Sequence, residues 1–141
     1  MRVARILDWL ERVVLTLGVQ GLDRSRVLRP NSPRDLADAP VYFELGLDRV
    51  ERRVETERSA RASAVAIVVV SCAPRDGVER LDALVRALIV ALVATRNRAA
   101  PLPSDAAARV YVDGVRVSGG EFQNGRHKAT VWIDLDIYEE D

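Results

Sequence analysis

The chain has one cysteine, Cys72, one histidine, His127, and one lysine, Lys128, in 141 residues. A lone cysteine excludes an intrachain disulfide. It closes an apolar run from Ala64 to Val70, where a buried, inert thiol is expected. No basic neighbour argues for a thiolate. A lone histidine does catalysis or holds a metal only with partners, and the nearest candidates are Asp134 and Asp136, several residues along the chain. Net charge is absent too: 21 basic residues balance 21 acidic ones, so the chain as a whole lacks the basic excess of a nucleic-acid binder. No apolar stretch reaches the roughly 18 residues that cross a membrane. The N-terminal apolar residues are spaced for an amphipathic helix and not for a signal peptide, which predicts a soluble protein made inside the cell. Phosphate-binding and dinucleotide-binding glycine motifs are missing, and no serine stands in a nucleophile elbow. Cofactor binding is therefore not expected.

What is present is a globular composition, 48% hydrophobic and 30% charged, of a length that suits one domain spanning residues 1–141. Val3, Ile6, Leu7, Leu10, Val14 and Leu17 share one face of a helix, and Gly18 is a plausible stop. Between Gln20 and Pro40 the prolines predict loop, with a short helix beginning at Pro33 as an alternative. Val41, Phe43, Leu45 and Leu47 alternate as in a half-buried strand. Ala62 to Cys72 is nearly continuous in β-branched residues and reads as a central strand buried on both faces.

Asp76 with Glu79 resembles a capping box, followed by the strongest periodicity in the chain: Leu81, Leu84, Val85, Leu88, Ile89 and Leu92. Val110, Val112, Val115 and Val117 flank Asp113-Gly114, a hairpin signal. Asn124-Gly125 marks a second tight turn. In the last strand Ala129, Val131, Ile133, Leu135 and Ile137 form one face, and Thr130, Trp132, Asp134, Asp136 and Tyr138 the other. This order predicts an α+β fold: a mainly antiparallel sheet of about four to six strands, with two amphipathic helices packed on one face.

Two features are surplus to that core. The segment at about 48–61 is mostly charged, with arginines interleaved with Glu51, Glu55 and Glu57; it reads as an exposed strand arm or a solvated loop. The last strand is acidic on its polar face and carries Trp132 and Tyr138 there. Those rings either mark an interface or lie under the N-terminal helix.

The order of elements resembles the tail terminator, or tail completion, proteins of long-tailed phages. The likeness runs through the helix Val3 to Leu17, the Pro40-Val41-Tyr42-Phe43-Glu44-Leu45 entry into a strand, and the charged insertion Asp48 to Arg61. It continues through the Val/Ile strand Ala64 to Val70, the helix Asp76 to Ala94, the segment Val110 to Val117 and the strand Ala129 to Leu135. It rests on pattern and on no invariant motif. The resemblance implies a non-enzymatic virion protein at the head-proximal end of the tail, assembled in the host cytoplasm. It implies a homo-oligomer, commonly a hexameric ring, that caps the tail tube, docks to the head connector and lets DNA pass without specific binding. No membrane partner is implied.

A ring needs two different contact surfaces on each subunit. The expected subunit-interface residues are Arg49, Arg52, Arg53, Glu55, Arg58 and Trp132, with Arg52, Arg53 and Glu55 in cross-subunit ion pairs. Asp134, Asp136, Glu139 and Glu140 are expected to face the channel, where negative charge repels DNA. The alternatives are another neck or baseplate protein of such a particle, a generic binding domain, or a small metal-dependent hydrolase using Asp134 and Asp136.

Overall fold

The computed structural model describes residues 3–30, 36, 38–55, 59–94, 100–102 and 105–140, with side chains for 5–30, 36, 38–51, 61–94 and 108–138. The possible short helix at Pro33 lies outside them.

Helix α1 spans Val3–Leu15 and buries Ile6, Leu7, Leu10 and Val14 from the expected stripe. Trp9 is buried beside them, widening the apolar face beyond the periodic positions. Gly18, at φ 70°, adopts the left-handed geometry that commonly ends helices. Strand β1, Val27–Leu28, follows a short 3-10 turn at Arg24–Arg26. It lies parallel to strand β2, Val41–Glu55. Arg29, next to β1, reaches Glu11 (Nε to Oε2, 3.0 Å) and Asp8 (2.6 Å) on α1 and so ties the helix to the sheet edge. Burial works against the Arg29 charge, but the bonds from these carboxylates outweigh it and hold its pKa above the ordinary value.

β3, Ser59–Cys72, pairs antiparallel with β2 along almost its whole length. Helix α2, Gly77–Val93, buries Leu81, Leu84, Val85, Leu88 and Leu92. Its start corrects one expectation. Asp76 makes no side-chain cap bond and its backbone is helical, because a 3-10 turn at Pro74–Asp76 leads into the helix and takes the place of a capping box. Then come β4, Ala100–Leu102; β5, Asp105–Val117; β6, Glu121–Gln123; and β7, Arg126–Glu140.

Among the described residues these make one sheet in the order β1-β2-β3-β7-β5-β4, with β6 paired to β7. All pairings but β1 with β2 are antiparallel, which bears out the α+β class. Four strands are long; β1, β4 and β6 are short additions at the margins. A single core joins both helices to one face of the sheet: Val41, Phe43 and Leu45 from β2, Ala64 to Cys72 at alternate positions from β3, Val110 and Val112 from β5, and Ala129 to Ile137 at alternate positions from β7. The second face has no helix among the described residues, so the central strand is not covered equally on both sides.

Asp113-Gly114 is not a hairpin turn. β5 runs straight through it, paired with β7 on both sides, and slips register between Val112 and Gly114. The pattern Val110, Val112, Val115, Val117 breaks parity at this dipeptide. A turn and a bulge both produce such a break, and here the extra residue is a bulge. β2 slips in the same way between Leu47 and Arg49, and again between Arg52 and Val54. The Asp48 and Asp113 irregularities meet the central strands at nearly the same level. Arg49 pairs with Val65, Val65 with Asp134, and Asp134 with Gly114. Bulges on both flanking strands at one level bend and twist the sheet there.

Candidate functional site

The segment at 48–61 is not a separate loop. It is β2 as far as Glu55 and β3 from Ser59, so the charged stretch continues the sheet. Arg49 is exposed on the helix-free face and pairs loosely with Glu51 (3.7 Å). Arg52, Arg53 and Glu55 are placed in β2 by backbone alone. Their side chains, and Arg58 altogether, lie outside the described residues, as do the side chains of Glu139 and Glu140 on β7.

Trp132, Asp134, Asp136 and Tyr138 alternate with the buried Val131, Ile133, Leu135 and Ile137 and face away from both helices. The N-terminal helix therefore does not cover Trp132 or Tyr138; Trp9 is the tryptophan in the core. Trp132 is half-buried opposite Ile67, with Val65 and Val69 next along β3. An apolar strip thus runs down the centre of the open face.

Charged and aromatic side chains border this strip. Arg116 reaches Asp134 (3.3 Å), and Arg61 reaches Asp136 (3.8 Å) while its guanidinium lies 5.1 Å from the centre of the Tyr138 ring. Tyr111 meets Tyr138 edge to face at 5.5 Å. Tyr111 and Arg116, five residues apart, reach the same face only because the Asp113 bulge shifts the parity of β5. Simple alternation along the sequence assigns neither to this surface. The signal that places them there is the same parity break, taken as a bulge.

At the other end of the open face Arg126 is buried, bonded through Nε to the Ser71 hydroxyl (2.7 Å) and stacked 4.6 Å from the Tyr42 ring centre. The Lys128 ammonium stands 5.9 Å from the same ring. His127 lies against exposed Phe122, ring centres 5.0 Å apart. Cys72 is fully buried in the core, and burial pushes its thiol pKa up, as for an inert thiol.

Each of Asp134 and Asp136 has an arginine partner, and no group of three or more His, Cys, Asp or Glu side chains among the described residues could hold a metal ion. No helix among them is long and apolar enough to cross a membrane.

No family model matches the chain, and no curated protein does. Chains of solved structures do match. One of them, known only by a sequence identifier that states no function, is 15% identical, with alignment covering 95% of this chain and 88% of that one, at a TM-score of 0.58. At that identity the likeness is one of fold: the protein is an α+β domain with a mostly antiparallel sheet and, among the described residues, two α-helices, similar to that neighbour over nearly its full length.

Proposed function

We propose that the protein is a structural subunit that works by self-assembly, forming a ring that terminates a phage-type tail tube and joins it to the head connector. The observation that carries this reading is the open face of the sheet. Its apolar strip at Val65, Ile67, Val69 and Trp132, rimmed by Tyr111, Tyr138 and arginine–aspartate pairs, has the make-up of a protein interface: an apolar and aromatic centre with a polar border. The order of elements that resembles tail terminators points the same way. Arg49 lies on this face too, in keeping with its expected place at a subunit contact.

The hydrolase alternative has less to support it. Arg116 and Arg61 already engage the two carboxylates that it would use. The same pairs offset the negative charge expected of Asp134 and Asp136 in a channel lining.

The test is twofold. Light scattering and negative-stain microscopy of the purified chain are expected to reveal discrete rings with a central opening. Added to growing tail tubes, the protein is expected to stop their elongation. Rings that leave tube growth unaffected would favour another neck or baseplate role, and a monomer under every condition would remove the reading.

A further inference from the structure

β2 and β5 are the outermost long strands of the sheet, and each is covered along only part of its free edge. β1 reaches β2 only at Phe43 and Glu44. β4 reaches β5 no farther along than Val110. Among the described residues, no strand lies beside β2 from Leu45 onward or beside β5 from Tyr111 to Val117. The Ser118 N–H donates inward to the Thr130 carbonyl (3.0 Å), so by alternation the peptide groups of Val117 point out of the sheet. An open edge of this kind is a template for another strand.

The β5 edge also has a groove beside it. Ile89 and Val93 of α2 overhang the edge, and with Val112, Val115 and Val117 they line a groove of about 300 Å³. Val117 is 43% exposed there. A strand added along this edge would set its alternate apolar side chains into that groove, beneath α2.

The opposite edge of the same fold offers a strand to it: Val50 of β2 faces the helix side and is 38% exposed. Antiparallel steps from β2 to β3, β3 to β7 and β7 to β5 leave β2 and β5 running in opposite directions. A neighbour rotated about an axis along the strands therefore brings its β2 antiparallel to β5, and the alternation of the sheet continues without a break. Setting Val50 opposite Val117 places both on the helix side and opposes Glu51 to Arg116 on the other face. Setting Val50 opposite Val115 would instead bring Arg49 against Arg116. Opposite charges directly across a ladder stabilise it and like charges do not, so the first register is favoured.

We propose that copies of this chain join head to tail by edge-to-edge pairing of β5 in one subunit with β2 of the next, with Val50 and the α2–β5 groove at the contact. The inference rests on the ring reading and adds a subunit contact along the strand edges to the one read from the open face. Joining one edge to a different edge is heterologous, the kind of contact that closes into a ring.

Single variants Val50→Cys and Val117→Cys, mixed and oxidised, are expected to give a disulfide-linked pair that neither gives alone; buried Cys72 does not compete. Val117→Pro removes an N–H that points out of the sheet and is expected to stay folded by circular dichroism but to lose assembly. Should that variant fail to fold, Val50→Asp on the opposite edge is expected to give a folded monomer. Rings that persist in Val117→Pro or Val50→Asp, with no cross-link in the mixture, overturn the edge contact and leave the ring reading standing. A wild-type chain that stays monomeric overturns both.

Discussion

Arg126 and Ser71 form a buried polar clasp between β7 and β3: the guanidinium donates through Nε to the Ser71 hydroxyl oxygen at 2.7 Å and through Nη2 to the Ser71 carbonyl at 3.3 Å. Ser71 is fully buried and Arg126 nearly so, and the Tyr42 ring packs over the guanidinium from β2. A buried charge is tolerated only where donors are matched and the flat cation is packed.

Removing the hydroxyl leaves a buried donor of a charged group poorly matched. Ser71→Ala is expected to destabilise the fold by about 1–3 kcal/mol, read as a lower midpoint in urea with an unchanged slope. Arg126→Lys is not conservative here, because an ammonium loses the stacked plane on Tyr42 and the two-point contact with Ser71. It is expected to destabilise at least as much. A midpoint unchanged within error in both variants would show that the clasp contributes nothing.

Cys72 should be chemically silent in the folded protein. Burial disfavours the thiolate first of all, and the opposing pull of Arg80 is smaller, so the thiol pKa lies above its ordinary value. The sign follows: raising pH through the usual thiol range is expected to leave folded Cys72 mostly protonated and unreactive toward a polar maleimide, whereas the unfolded chain reacts promptly. Rapid labelling of the native protein at neutral pH would contradict the burial of this strand end.

The turn between β6 and β7 depends on left-handed backbone at Asn124 (φ 53°) and Gly125 (φ 75°). A two-residue turn of this kind matches the twist of the paired strands. Gly125→Val puts a β-branched residue where φ is positive and is expected to cost more than about 1 kcal/mol. The loss should be largely local. Hydrogen exchange at the Glu121–Gln123 ladder is expected to speed up, while the central β3–β7 pairing keeps its protection. Equal loss in both would mean that the hairpin is integral to the core.

Much of the fold was legible in the sequence because it is written in short-range periodicity. The α2 stripe from Leu81 to Leu92, the alternation from Ala129 to Tyr138 and the Val-rich run before Cys72 each follow from a repeat that a single element must satisfy wherever it packs. The stop at Gly18 and the turn at Asn124-Gly125 were readable for the same reason: the conformations that these residues favour are local properties. The open-face candidates were legible in part. Trp132, Asp134 and Asp136 followed from alternation, whereas Tyr111, Arg61 and Arg116 did not.

The sequence by itself determined the two helices, the strands entered at Val41, Ala62 and Ala129, and which side of each is apolar. Only the tertiary structure decided what each strand lies beside. Asp113-Gly114 suits a turn or a bulge equally well, and the choice rests with β7, which pairs with β5 on both sides of it. Likewise, alternation along β7 separates two faces but cannot say which of them receives the helices beyond the preference of apolar residues for burial. Nor can it say that β3 and β5 become its neighbours while, among the described residues, the outer edges of β2 and β5 stay partly bare. Strand order and edge exposure are set by contacts between residues far apart in the chain, whose energies appear only once the sheet has formed.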